Sequence, residues 1–180
     1  ARGVAAIERR CGNAVDAAVA AGFALAVTYP EAGNIGGGGF MLIRTADGKS
    51  TIIDFRETAP AAAHRDMYLD DSGAPISQKS LQGPLAAGVP GTVAGLLHAL
   101  AQYGTRSRED VIAPALRLAA DGFPVSEQLA ASFEGEWRQL CQFPSTMKAF
   151  SRGGLPYRAG DTLRQADLAA ALHAVIAEGR

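Results

Sequence analysis

Four consecutive glycines, Gly36 to Gly39, stand between an apolar run and a strand-like segment, and they constrain the fold more than any other feature of the chain. A backbone without four successive side chains either adopts unusual φ values or approaches another segment more closely than a Cβ would permit. The run Gly33-Asn-Ile-Gly-Gly-Gly-Gly39 leads into a strand pattern and lacks the Gly-Lys-Ser/Thr ending of a phosphate loop, so nucleotide binding is disfavoured. A tight structural bend and one wall of a substrate pocket are the two readings it leaves open.

The segments on either side of the glycines take opposite periodicities. Upstream, Asn13 caps a helix over 13–27 that is apolar on nearly all faces and is therefore expected to be buried, with Gly22 suiting close helix packing. Downstream, Phe40-Met-Leu-Ile-Arg44 and Thr51-Ile-Ile-Asp-Phe55 flank Asp47-Gly48, which predicts a β-hairpin. In its second strand Ile53 and Phe55 share one face, and Ile52, Asp54 and Arg56 share the other. The helix is expected to pack on a sheet containing strands 39–45 and 50–56. Residues 60–88, rich in Ala, Asp, Ser, Gly and Pro, predict a wandering connection with short helical turns. Helical patterns follow at 92–103, 108–120, 126–139 and 166–178. Ser107 and Asp110 resemble a capping box at the start of the second of these, and Pro114 is expected to bend it.

Composition narrows the function classes. A length of 180 residues with 48% hydrophobic content supports a real core, and a net charge of −1 gives no pull toward nucleic acid or an anionic membrane. The apolar stretch 17–27 falls short of the roughly 20 residues a bilayer span needs. Cys11 and Cys141 show no paired spacing, and His64, His98 and His173 lie at no metal-ligand spacing, so the sequence implies neither a metal nor another cofactor. The chain begins at Ala1, has its first Met at Met41 and ends within a helical pattern, so it reads as one partial domain, 1–180, of a longer protein.

Three clusters carry possible chemistry. Arg56-Glu57-Thr58-Ala59-Pro60 puts a guanidinium at a strand end, where its paired donors suit a ligand carboxylate; the competing reading is a solvated arginine paired with Glu57 or Asp54. Ser145 and Lys148 match the Ser-x-x-Lys pattern of penicillin-recognising acyl enzymes, but the companion motifs are missing and Pro144 suggests a loop. Gly91 and Gly95 have the small-x-x-x-small spacing of close helix packing.

Taken in order, Gly12-Asn-Ala-Val-Asp-Ala-Ala-Val-Ala-Ala21, Gly33-Asn-Ile-Gly-Gly-Gly-Gly-Phe-Met-Leu42, Arg56-Glu-Thr-Ala-Pro60 and Gly88-Val-Pro-Gly-Thr-Val-Ala-Gly-Leu96 resemble the γ-glutamyltransferase family, along nearly the whole chain and including Ala159-Gly-Asp161. Cys11 stands where the family usually has another glycine. The resemblance implies an α/β fold of the Ntn-hydrolase type, an α/β/β/α sandwich, of which this chain is a large-subunit portion. It implies a precursor that cuts itself in two, a small-subunit partner from that precursor, a small-molecule γ-glutamyl donor such as glutathione, and a periplasmic or extracellular location.

The family's nucleophile is the new N-terminal Thr of the small subunit. With its own α-amine as base, its hydroxyl would attack the γ-glutamyl amide, and the acyl-enzyme would pass to water or to an amino-acid acceptor while backbone donors hold the oxyanion. No Thr of this chain matches the family's cleavage site, so no catalytic residue carries over and the chain alone is expected to be inactive. Arg56 matches the arginine that holds the donor's α-carboxylate, with Glu57 as its weaker neighbour. The alternatives are a related acylase or capsule-processing transpeptidase, and a non-catalytic structural fragment.

Overall fold

A computed structural model describes residues 12–179, so Cys11 lies outside the described residues. The described residues pack as two compact units: 12–34 together with 96–179, and Ile35–Gly95.

The first unit is helical. Helix α1, Ala14–Thr28, starts at Asn13, whose side chain accepts from the N–H groups of Val15 and Asp16, while the Asp16 carboxylate accepts from the Asn13 N–H. That reciprocal pair satisfies donors a helix start otherwise leaves open. The apolar composition predicts burial all round, but burial is one-sided: Val19, Phe23 and Val27 are fully enclosed, Val15 is half-buried and Leu25 is 49% exposed. Within its unit the buried face packs on α3, Arg108–Asp121. Between these two in sequence runs α2, Thr92–Tyr103, whose Leu96 lies where a Cβ on Gly22 would come within 3.0 Å of Leu96 Cδ1.

Helix α3 starts at the N-cap Ser107, whose Oγ accepts from the Asp110 N–H, and runs through Pro114 without a break. It packs in turn on α7, Ala166–Glu178, which ends on the left-handed Gly179. The two-residue strands β3, Phe123–Pro124, and β6, Thr162–Leu163, pair antiparallel beneath them with Phe123 and Leu163 buried. Gln165 joins three ends: its side-chain amide donates to Val27 O at 2.8 Å, and its backbone N–H donates to Ala119 O at 2.9 Å.

The pattern over 126–139 predicts one helix, yet the chain forms α4, Glu127–Gly135, and a single turn α5, Trp137–Leu140, because Gly135 and Glu136 interrupt it. Pro144 starts a further helix α6, Pro144–Phe150, where the sequence suggests a loop; proline at the first helical position costs no hydrogen bond. A small hairpin of β4, Ser151–Arg152, and β5, Leu155–Pro156, follows it.

The second unit is built on the expected hairpin of β1, Phe40–Arg44, and β2, Ser50–Asp54, in the register Phe40↔Asp54, Leu42↔Ile52, Arg44↔Ser50. Gly48 turns it with φ 86°. Side chains alternate as the pleat requires: Ile43 is buried and Met41, Ile53 and Phe55 are half-buried, whereas Phe40, Leu42 and Ile52 stand 61, 72 and 66% exposed. The connection over 60–88 wanders as predicted, through 3-10 turns at Ser77–Ser80 and Pro84–Ala86.

Candidate functional site

Arg56 lies two residues past the end of β2, where Phe55 extends the ladder by exchanging backbone hydrogen bonds with Gly39. The segment Phe55-Arg56-Glu57 is gripped by backbone from two sides. A Cβ on Gly38 would come within 2.6 Å of Phe55 O and 2.8 Å of Arg56 Cα. One on Gly91 would reach Phe55 O at 2.0 Å, and one on Gly95 would overlap the Phe55 side chain at 2.1 Å. A Cβ on Gly88 would likewise lie 2.9 Å from the Glu57 Cβ. The N–H groups of Gly91 and Thr92 donate to Gly37 O at 2.9 and 3.0 Å, and Thr58 pairs with Val89 through two backbone bonds.

None of Gly38, Gly39, Gly91 and Gly95 has a φ in the left-handed region, so what they supply is space and not an unusual backbone angle. Of the two backbone reasons for a glycine run, unusual φ and close approach, the geometry at Gly38 and Gly39 supports close approach, and the segment approached carries Arg56. The Gly91/Gly95 spacing likewise serves packing, but against the end of a strand instead of another helix, since Gly95 receives the Phe55 ring. The motifs that lie apart in sequence at 33–42, 56–60 and 88–96 therefore meet at one place.

The Arg56 side chain is exposed, and its guanidinium Cζ lies 5.8 Å from the centre of the Phe40 ring. Among the described residues it forms no ion pair: the carboxylate of Asp54 accepts from the Arg56 backbone N–H at 3.0 Å, and the ion pairs present are Lys49–Asp47, Arg65–Asp66, Lys148–Asp167 and Arg152–Asp161. The solvated pairing with Glu57 or Asp54 is thus not formed. Glu57 is exposed beside Gly88, with no hydrogen-bonded partner for its carboxylate among those described. An unpaired guanidinium on a rigidly packed strand end can take a carboxylate through two parallel N–H bonds.

The other sequence candidates do not form a reactive centre. Ser145 and Lys148 share the short α6, but both are exposed and Lys148 donates to Asp167 at 3.1 Å, leaving the hydroxyl without a base. His64, His98 and His173 are exposed, and no group of three metal-ligating side chains gathers among the described residues. No helix among them is long and apolar enough to cross a membrane.

One functional-looking group escaped the sequence reading. Asp16 is wholly buried, and its carboxylate accepts from the Thr105 hydroxyl at 2.7 Å and from the N–H groups of Asn13, Thr105 and Arg106 at 2.7, 2.8 and 3.1 Å. Burial acts to raise its pKa, but the Thr105 hydroxyl and the three backbone donors outweigh it and hold the carboxyl below its ordinary value. Gly104 is required beside it, since a Cβ there would lie 2.8 Å from Asp16 Oδ1. Every acceptor position faces a donor of its own unit, so Asp16 pins the loop between α2 and α3 and offers nothing to a substrate. Elsewhere in the helical unit, a cleft of about 270 Å³ is floored by Leu129, Phe133 and Phe150 with Glu31 and Glu136 among its lining residues. Hydrogen bonds from Ser132 and then Tyr29 hold Glu31 below the usual carboxylate value.

Comparison with known proteins agrees with this gathering of motifs. The family model described as Gamma-glutamyltranspeptidase matches residues 3–180. The glutathione hydrolase proenzyme of Escherichia coli (strain K12) is 54% identical over 169 residues, covering 93% of this chain and 29% of that protein. The Helicobacter pylori gamma-glutamyltranspeptidase crystal structure superposes with a TM-score of 0.96 at 43% identity, over 99% of this chain and 51% of that one. An acylase proenzyme of Pseudomonas sp. (strain V22) is 39% identical over 174 residues, 93% of this chain and 31% of that protein. The chain thus spans under a third of the length of these curated relatives and about half of the solved chain.

Proposed function

The chain belongs to the γ-glutamyltranspeptidase family, with an α/β fold of the Ntn-hydrolase type, and from that premise we propose that it supplies the donor-binding arginine of an enzyme that hydrolyses or transfers γ-glutamyl groups. Glutathione and other γ-glutamyl amides are the substrates of this reading. In it, Arg56 holds the donor's α-carboxylate and Glu57 lies at the margin of the same site. The attacking hydroxyl comes from the N-terminal Thr of a small subunit cut from the same precursor, a partner whose existence is supported by the relatives' proenzyme names and by the partial coverage of their length.

The observation that carries the reading is the Arg56 guanidinium, exposed, without a carboxylate partner among the described residues, on a strand end gripped by Gly38, Gly91 and Gly95. Holding the α-carboxylate there fixes the donor at one end, so that its γ-amide carbon is presented to the nucleophile in a single orientation; positioning of this kind lowers the entropic part of the barrier. The Thr hydroxyl adds to that carbon as its proton passes to the α-amine, the amine of the donor leaves with a proton, and water or an acceptor amine then releases the acyl group. The acylase reading is supported by lower identity, 39% against 54%, and an acyl group without an α-carboxylate would leave Arg56 unused. A periplasmic or extracellular location belongs to the same proposal and is supported by family resemblance alone; cell fractionation tests it.

The experiment is Arg56→Ala in the complete, processed enzyme. Removing one partner of a buried, hydrogen-bonded charge pair costs roughly 2–5 kcal/mol, against about 0–1 for an exposed pair. A fall of at least about tenfold in kcat/KM for γ-glutamyl donors is expected, and Arg56→Lys, which keeps charge but loses the planar fork, is expected to be impaired as well. Unchanged kcat/KM in a variant that still folds and self-cleaves would refute the clamp.

A further inference from the structure

The Arg56 side chain is long, exposed and free of ion pairs among the described residues, and such a group ordinarily samples many rotamers, at an entropic cost when it binds. One contact restrains it. Phe40 faces Asp54 across the hairpin, and Arg56, two residues further along the same strand, falls on the same face as Asp54, diagonally opposite the ring. The guanidinium carbon lies 5.8 Å from the ring centre, within the range in which an aromatic face attracts a cation. Phe40 is itself 61% exposed, so the contact is not a by-product of core packing; the ring projects on the outward face of the hairpin, where the neighbouring Leu42 and Ile52 are also exposed. The extra ladder bonds between Phe55 and Gly39, directly before Phe40, tie the two backbones at the same level, at 2.9 and 3.3 Å.

We propose that Phe40 is a positioning residue for donor binding: its ring face holds the Arg56 guanidinium in the orientation that accepts an α-carboxylate. The inference rests on the carboxylate-clamp reading of Arg56 and adds what keeps that clamp set. A guanidinium held over a ring face keeps its N–H donors for a ligand, because the ring accepts none of them as a carboxylate would, whereas a carboxylate neighbour in the ring's place would occupy those donors and compete with the donor. Phe40 acts on binding and not on bond making, so its effect falls on KM.

The test replaces Phe40 in the complete processed enzyme with phenylalanines carrying one, two and three ring fluorines, which weaken the ring's negative face while keeping its shape, and adds Phe40→Leu and Phe40→Tyr. KM for a γ-glutamyl donor is expected to climb stepwise with fluorination to a total of about three- to fivefold, with kcat nearly constant, on the scale of an exposed cation–π contact. Phe40→Leu matches the top of that series and Phe40→Tyr restores the wild-type KM. In an Arg56→Ala background the fluorine series flattens. A flat series in the Arg56 enzyme, or an equal slope in both backgrounds, overturns the positioning role while leaving the clamp intact. Arg56→Ala without effect on kcat/KM overturns the clamp and the role of Phe40 with it.

Discussion

The helical unit and the hairpin unit solve the burial problem in opposite ways. Of the buried hydrophobic residues among those described, only Ile43 falls within 35–95; Phe23, Ile112, Leu163, Leu172 and the rest belong to the helices and their short strands. Phe40, Leu42, Ile52, Leu81, Leu85 and Val89, by contrast, are large apolar side chains exposed in the hairpin unit. The helical unit closes a core of its own and fully partners Asp16, its one buried carboxylate among the described residues. The hairpin unit spends its tight packing on backbone, at Gly38, Gly91 and Gly95, and turns side chains outward. One region is built for stability and the other to present a surface with Arg56 at its end.

Substitutions separate these roles, and the largest effect is expected at Asp16. Asp16→Ala orphans the Thr105 hydroxyl and the N–H groups of Asn13, Thr105 and Arg106, and each buried donor left unmade costs about 1–3 kcal/mol, so a loss of at least about 3 kcal/mol is expected in chemical denaturation. Its pH dependence has a definite sign. The folded pKa is lowered, so the stabilisation is complete above the unfolded value, about 3.9, and drains away as pH falls through the lower folded value. Asp16→Asn should flatten that acid limb; an unchanged acid limb would show that Asp16 does not stabilise the fold through its charge.

Gly91→Ala comes next. Its Cβ would meet the Phe55 carbonyl at 2.0 Å, a backbone atom that cannot swing aside, so a loss of about 1–3 kcal/mol or more is expected together with displacement of Arg56. Gly48→Ala is the contrast: the site is open and only the φ of 86° resists a side chain, at about 1–2 kcal/mol. Thermal unfolding that ranks Gly48→Ala as the costlier of the two would break the account of the glycine run.

A smaller effect tests the outward face. Leu42 is 72% exposed, so Leu42→Gln in the chain alone should change stability by no more than about 0.5 kcal/mol. If a small subunit covers this face in the complete enzyme, the same change there should cost about 1.5–3 kcal/mol, the worth of a buried leucine. Equal effects in both would mean that the face stays open to solvent.

The sequence shows local features well and distant ones poorly. Asn13 as a cap, Asp47-Gly48 as a turn and the helices 92–103 and 166–178 follow from propensity and spacing within a few residues. The bond between Asp16 and Thr105 spans 89 positions, and nothing local marks an aspartate inside an apolar helix as an anchor for a loop. The same limit explains Leu25: a helix apolar on every side reads as buried, yet only tertiary packing decides which side is covered. Nothing local marks the interruption at Gly135, because one glycine inside a helical pattern is often tolerated. At the candidate site, Arg56 was legible from its position at a strand end and from family resemblance. Its ring neighbour Phe40 was not, because a diagonal cross-strand contact requires the register Phe40↔Asp54.

The most direct test of the central claim crosses the enzyme variant with the donor. The measurement is kcat/KM for wild type and Arg56→Ala in the complete processed enzyme, each with a γ-glutamyl donor and with an analogue lacking the α-carboxylate. If Arg56 holds that carboxylate, the mutation lowers kcat/KM for the normal donor by at least about tenfold, or 1.4 kcal/mol, and the analogue, already poor with wild type, loses little more. Equal losses with both donors, or no loss with either, would contradict the assignment of Arg56.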